Sequence, residues 1–158
     1  MEGIEKKDGG IKIIASNKKA HFNYEVIEKY EAGISLLGTE IKSIRDNNIN
    51  LGDSFCLVRN GEITMINSHI AEYTFGNRFN HEPRRPRKLL LHKAEISRLY
   101  GKSRERGFSI IPLRAYFKNG RVKIEIALCR GKKLFDKKET IKRRDMDKQF
   151  KQDIKGKY

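Results

Sequence analysis

Ten cations fall between Arg78 and Arg106, against three acids, Glu82, Glu95 and Glu105. The centre of the cluster, Arg84-Arg85-Pro86-Arg87-Lys88, contains a proline, which removes an amide donor and favours extended backbone before it. Extended cationic side chains can follow a phosphate backbone and release its counterions. The competing reading is a solvated loop. Asn17, Tyr24, Tyr73, Asn77 and His81 add groups able to stack on splayed bases or hydrogen-bond to bases and 2′-hydroxyls. Tyr24 shares a strand face with Phe22 and Val26, so burial competes with stacking there.

The same inspection finds no catalytic or metal-binding constellation. His21, His69, His81 and His92 lack metal-ligand spacing. Gly101-Lys102-Ser103 resembles the end of a phosphate-binding P-loop, but Ile96 stands where the earlier glycine belongs, and the segment follows a helix rather than a strand. Ser54 lies beside Asp53 without a histidine in suitable context. The expectation is a protein that is not an enzyme and uses no metal or cofactor.

The elements that would position these groups come from hydrophobic periodicity. Residues 1–15 read as a flexible leader. Asn17 can cap a short turn through Ala20. Phe22 to Tyr30 alternates as a strand, Gly33 interrupts it, and Ile34 to Leu37 continues. Thr39 reads as the N-cap of a helix carrying Ile41 and Ile44, ended by Asp46-Asn47-Asn48. Asn60-Gly61 and Asn119-Gly120 each separate two apolar-rich runs, the signature of type I′ hairpins. Pro112 implies an edge or a bulge in its strand. A helix near His92 to Tyr100 would turn Ile96, Leu99 and Tyr100 inward, with Gly101 breaking it. The count, about six antiparallel strands with roughly two to three flanking helices, points to a small closed β barrel. An open α+β sandwich is the alternative.

Composition agrees with an anionic partner. The chain has 158 residues, 37% hydrophobic and 35% charged, with a net charge of +15. That permits one modest core and favours a polyanion partner over mere solvation. Cys56 and Cys129 lie in apolar runs and read as small buried hydrophobes in a reducing compartment. No apolar run approaches membrane-spanning length and no secretory leader is evident, so the expected location is cytoplasmic, with no membrane partner.

Residues 131–158 carry eleven cations and five acids. With so few large apolar groups, such a segment cannot offset its own chain entropy. It reads as a tail, disordered alone, that folds on something acidic. Met146, Phe150 and Ile154 would form a stripe only in a helix.

Several stretches occur in an order that is specific. Asn17-Lys18-Lys19-Ala20 precedes Tyr24; Glu31-Ala32-Gly33-Ile34 is followed by Leu37-Gly38-Thr39-Glu40-Ile41-Lys42-Ser43-Ile44-Arg45. Gly76-Asn77-Arg78-Phe79-Asn80-His81-Glu82-Pro83, Arg87-Lys88-Leu89-Leu90-Leu91-His92-Lys93 and Tyr116-Phe117-Lys118-Asn119-Gly120-Arg121-Val122-Lys123 follow. From Ile13 to Lys138 the chain resembles the SsrA-binding protein family (small protein B), bacterial partners of transfer-messenger RNA. The resemblance implies a mainly β, oligonucleotide-binding (OB) fold. It also implies a non-enzymatic adaptor in trans-translation. Such an adaptor binds the tRNA-like domain of transfer-messenger RNA and delivers it, with elongation factor Tu as an indirect partner, to stalled ribosomes for rescue and peptide tagging. A general OB-type RNA-binding or ribosome-associated module without that role is the alternative.

Carried onto this chain, the resemblance implies an RNA-binding surface of Asn17, Lys18, Tyr24, Glu31, Gly38, Lys42, Arg45, Arg78, His81, Arg87 and Lys88. Glu31 would accept hydrogen bonds from base or ribose, or orient an arginine; a plain strand-end carboxylate is the competing reading. The tail would enter the empty message channel as a helix and meet the decoding centre and 16S rRNA through Lys132, Lys133, Phe135, Asp136, Lys137, Lys138, Met146 and Ile154. Phe135 stands where many members carry histidine, so it can stack but has no ring proton to donate. Lys138 stands where arginine is common and lacks the bidentate fork. Arg84 and Pro86 also depart from the more common loop residues. The expected organisation is a leader over 1–15, an OB barrel over 16–130 and a basic tail over 131–158, acting as a monomer.

Overall fold

The computed structural model describes residues 10–76 and 79–132. Within them the chain forms nine strands and three helices. Strand β1 (Ile11–Ser16) leads into helix α1 (Lys18–Asn23) and the long strand β2 (Tyr24–Ile34). Helix α2 (Gly38–Arg45), β3 (Ile49–Asn50), β4 (Phe55–Arg59), β5 (Glu62–Ile66) and β6 (His69–Ile70) follow. After a loop come β7 (Arg87–Leu90), helix α3 (Lys93–Ser103) and the strands β8 (Phe108–Lys118) and β9 (Arg121–Gly131).

The strands pair in the order β8-β4-β5-β7-β2-β9, and β9 returns to β8, which closes an antiparallel ring of six. The chain is thus mainly β, and the closed barrel prevails over the open sandwich. β1 lies outside the ring on β8, and β3 pairs with β6 as a separate ribbon. Both Asn-Gly turns are as expected: Asn60 and Gly61 have φ of 55° and 73°, and Asn119 and Gly120 have φ of 52° and 77°. A type I′ turn needs these positive values, and its twist matches the strands it joins. Pro112 sits at a bulge, where the register between β8 and β9 shifts before Arg114.

The barrel encloses Ile63, Met65, Leu89, Ile124, Ile126 and Leu128, with Ile44 from α2 and Leu99 from α3 joining the same core. A second, smaller cluster forms outside it. Ala20 of α1 covers Ile111, Leu113, Ala127 and Cys129. The far end of β9 is therefore buried on both faces.

Several boundaries differ from the expectations. Residues 11–16 of the supposed leader form β1, because β8 satisfies their backbone, with Ile13 opposite Tyr116. Phe22 belongs to α1, whose N-cap Asn17 accepts a hydrogen bond from the Ala20 amide. β2 runs through Gly33 without a break. Gly33 faces Leu90 of β7 and Lys123 of β9 at once, and an added β-carbon would lie 3.3 Å from that of Leu90. Glycine here permits close approach rather than a bend. The strand then ends at Ile34, short of the expected Leu37. α2 begins at Gly38 with Leu37, not Thr39, as N-cap, and the Leu37 amide donates to Glu40. α3 continues through Gly101 to Ser103, since one exposed glycine near a helix end costs only about 1 kcal/mol. Tyr100 points outward under Arg104, whose guanidinium lies 5.3 Å from its ring centre.

Candidate nucleic-acid interface

Two members of the basic run, Arg85 and Arg87, are tied inward, while Arg84 and Lys88 are exposed. Arg87 is fully buried, and its Nε donates to Glu40 Oε2 at 2.5 Å. Its remaining N–H groups donate to Ser68 Oγ and to the carbonyls of Ser68, Glu82 and Pro83. Arg85 donates to the other oxygen of Glu40. Glu40 is itself fully buried. Burial pushes its carboxyl up, but hydrogen bonds from Arg85, the Leu37 amide and Arg87 outweigh that and hold it below the usual carboxylate range. This corrects the reading of Arg87 as a phosphate ligand. A guanidinium with no exposed surface and several acceptors around it has nothing left for a phosphate. Lys88, next along β7, is exposed and pairs with Glu62 at 3.1 Å.

Two more expected RNA ligands turn inward for the same reason. Asn17 is buried; besides capping α1, its Nδ2 donates to the carbonyls of Leu51 and Pro112. His81 is buried, with Nε2 2.8 Å from the Ile70 carbonyl and Nδ1 2.9 Å from Thr39 Oγ1. A carbonyl can only accept, so Nε2 carries the proton, and in the neutral ring Nδ1 accepts from the threonine hydroxyl. His81 thereby stitches α2 to β6. Tyr24 is half-buried against the cluster under α1, which favours the packing reading.

The remaining expected residues fall at opposite ends of one ladder. Tyr24 faces Gly131 at one end of the β2–β9 pairing, and Gly33 faces Lys123 at the other. At about 3.3 Å per residue the two ends are roughly 30 Å apart. Near the first end lie Lys18, which is exposed, and Lys132, whose amide donates to the Asn23 carbonyl and whose Nζ donates to that of His21. The chain thus remains attached to α1 one residue beyond the end of β9.

Near the second end lies a more suitable surface. A cavity of about 330 Å³ is lined by Gly33, Ile34, Leu36, Leu90 and the cations Arg45, Arg121 and Lys123. Glu31 stands beside it, accepting from the Tyr116 hydroxyl at 2.5 Å and from Lys118 Nζ at 3.3 Å. The tyrosine bond, opposed by burial and helped by Lys118 and Lys123, lowers its carboxyl. Glu31 therefore stays anionic and oriented within a cationic rim. Cations at the edge of such a groove are of the charge that a phosphate backbone attracts. Gly38 is exposed, and a β-carbon there would meet nothing within 4 Å, so no close packing requires glycine.

On the exposed side of α2, Lys42 Nζ lies 5.4 Å from the centre of the Tyr73 ring. Tyr73 meets Phe75 edge to face, with centroids 5.6 Å apart. Phe75 and Phe79 are 78% and 79% exposed. The sequence reading did not assign these phenylalanines, nor Lys118, Arg121 and Lys123. The available signal was two aromatic residues within a polar loop between strands. Asn77 and Arg78 lie outside the described residues, as do Lys133, Phe135, Asp136, Lys137, Lys138, Met146 and Ile154.

Among the described residues there is no group of three or more histidine, cysteine, aspartate or glutamate side chains that could hold a metal. No helix among them is long and apolar enough to cross a membrane.

Residues 14–156 match the model of the family described as SmpB protein. The chain is 53% identical over 147 residues to the SsrA-binding protein of Carboxydothermus hydrogenoformans, covering 93% of this chain and 99% of that one. It is 55% identical over 154 residues to the SsrA-binding protein of Trichodesmium erythraeum, covering 96% and 99%. A solved chain from work described as "tmRNA-SmpB: a journey to the center of the bacterial ribosome" superposes with a TM-score of 0.65 at 45% identity, covering 76% of this chain and 85% of that chain.

Proposed function

The chain belongs to the SmpB protein family, and we propose that it binds the tRNA-like domain of transfer-messenger RNA and brings it to stalled ribosomes for trans-translation. The observation that carries this is the near full-length match to SsrA-binding proteins, 53% identical with 99% of the relative covered. The barrel supports it with a cation-rimmed groove at Arg45, Arg121 and Lys123. The protein works as a binding adaptor without catalysis, in the cytoplasm and as a monomer, with elongation factor Tu as an indirect partner.

In this reading the labour is divided. The surface around Glu31, Lys42, Arg45 and Lys88 binds transfer-messenger RNA, while His81 and Arg87 hold that surface in shape and Asn17 fastens α1 to Leu51 and Pro112. The segment beyond Lys132 enters the empty message channel. There Phe135 stacks in the decoding centre, and Lys133, Lys137 and Lys138 meet rRNA phosphates.

The test has two arms. Affinity for transfer-messenger RNA is compared with affinity for ordinary tRNA, and equal affinity would favour a general RNA-binding module. Deleting residues 131–158 should then leave binding to the tRNA-like domain intact and stop peptide tagging in a reconstituted rescue assay. Loss of RNA binding on deletion would overturn the division.

A further inference from the structure

The outer wall of β2, β9 and β8 sets two acids face to face. Glu31 of β2 lies directly opposite Glu125 of β9, and Glu125 lies opposite Arg114 of β8. Like charges opposite one another across strands repel, so each carboxylate needs partners of its own. Glu125 accepts from Arg114 Nη2 at 2.7 Å and lies 3.9 Å from Lys29 Nζ. Glu31 is reached from across β9. The Tyr116 hydroxyl donates to its Oε2 at 2.5 Å, and Lys118 Nζ lies 3.3 Å from both of its oxygens. Tyr116 is 3% exposed, and the Arg114 guanidinium lies 5.5 Å from its ring centre. Burial, and then the Glu31 carboxylate beside it, push the phenol up, so its hydroxyl keeps its proton and donates. The Glu31 side chain, by contrast, is 38% exposed. A packed, immobile donor thus holds an acceptor that faces water.

We propose that Tyr116 is a positioning residue for RNA binding, its hydroxyl fixing the Glu31 carboxylate beside the groove rimmed by Arg45, Arg121 and Lys123. The inference rests on the RNA-binding reading above and deepens it at Glu31. A carboxylate has about four lone-pair sites and can only accept. Tyr116 and Lys118 occupy those on the packed side, which leaves the open side for N–H or O–H donors of a nucleotide. Beside cations that attract a phosphate backbone, a loose acid would repel phosphate as readily as it met a donor. Held in one rotamer, it also brings less ordering cost to binding. The same strand carries a matching bond for comparison. The Tyr30 hydroxyl donates to Glu28 Oε2 at 2.5 Å, and alternation along β2 puts that pair on the other face from Glu31, where Arg98 also donates to Glu28.

The test is a double-mutant cycle on the full chain, read as affinity for transfer-messenger RNA across a pH series. Tyr116→Phe keeps the buried ring and removes only the donor; it should weaken binding about tenfold. Glu31→Ala should weaken it at least as much. Adding Tyr116→Phe to Glu31→Ala should change affinity no further, because no carboxylate is left to position. The Tyr116 bond leads the causes that hold the Glu31 carboxyl low, ahead of Lys118 and Lys123. Without it the carboxyl takes up its proton earlier as pH falls, so the acid-side loss of affinity should begin at higher pH in Tyr116→Phe. Tyr30→Phe, the matching change on the other face, should leave affinity and pH profile as in wild type. Wild-type affinity in Tyr116→Phe overturns the proposal. So does an equal loss from Tyr116→Phe with and without Glu31, or an unmoved pH profile, since either makes the tyrosine a packing residue only. Glu31→Ala that binds as tightly as wild type overturns it too, by removing Glu31 from the RNA surface. Wild-type protein that binds transfer-messenger RNA no better than ordinary tRNA overturns the underlying reading instead.

Discussion

Replacing Glu40 by glutamine keeps the side-chain shape and removes one buried charge. In the folded protein that carboxylate and the guanidinium of Arg87 are both fully buried, with Nε 2.5 Å from Oε2. Arg85 is 30% exposed and can turn its charge to water. Arg87 cannot. Breaking a buried pair from one side costs about 3–5 kcal/mol, because the remaining charge is left without its counter-ion. Three carbonyls and the Ser68 hydroxyl around Arg87 still accept its hydrogen bonds, so the lower end, about 3 kcal/mol, is expected. At about 2–4 °C per kcal/mol for a domain of this size, the melting temperature should fall by about 6–12 °C. Urea unfolding should show a lower midpoint with an unchanged slope.

The pH dependence supplies an independent check. Glu40 is held below its usual range in the folded state, and the unfolded reference is about 4.3. As pH falls, the unfolded chain takes up the proton first. The contribution is therefore complete above the unfolded value and lost as pH drops through the folded one. The stability gap between wild type and Glu40→Gln should be full at pH 7 and close progressively below about pH 4. Adding Arg87→Met to Glu40→Gln should not recover stability, since the carbonyls of Ser68, Glu82 and Pro83 then lose their donor. A loss below about 1 kcal/mol at pH 7, within the range of an ordinary exposed pair, would refute the reasoning. So would a gap that does not change with pH.

Asn17→Ala removes a helix cap worth about 1 kcal/mol and strips the donor from two buried carbonyls. A destabilisation of about 2–4 kcal/mol by urea melt is expected, with the salt slope of RNA binding unaltered; a reduced slope would restore Asn17 as a direct ligand. Arg45→Ala should lower the salt slope by about one phosphate equivalent. Lys88→Ala should lower it less, since that ammonium is already paired with Glu62; filter binding across a salt series separates the two. Gly76→Ala must displace Asn80 from Tyr73, because the new β-carbon would sit 2.6 Å from Asn80 Nδ2. Hydrogen exchange at the Tyr73 amide should accelerate, and unchanged exchange would show that the loop accommodates the methyl group.

Features set by local chemistry were readable in the sequence. The two Asn-Gly turns, the bulge at Pro112 and the cap at Asn17 all follow from constraints spanning a few residues. What the sequence reading missed depends on residues far apart in the chain. Gly33 looked like an interruption because its reason, the close approach of Leu90, lies elsewhere in the ring. Tyr100 looked like part of an inner stripe because helical spacing cannot show where the barrel wall ends.

The run Arg84-Arg85-Pro86-Arg87-Lys88 shows the same limit within the site. Alternation along a strand sends Arg87 inward and Lys88 outward, yet an arginine is almost never fully buried unless paired. Its counter-ion, Glu40, lies 47 positions earlier, in a helix whose start was itself misplaced by the choice of Thr39 as cap. With Leu37 as N-cap, Glu40 falls at the third helical position, where it takes the Leu37 amide. Its remaining acceptor capacity then faces the two arginines. The shift in the helix start therefore changes the reading of the site. It turns Arg85 and Arg87 from members of a basic row into the anchor of a loop, while Lys42, Arg45 and Lys88 lie on the exposed side of α2 and β7.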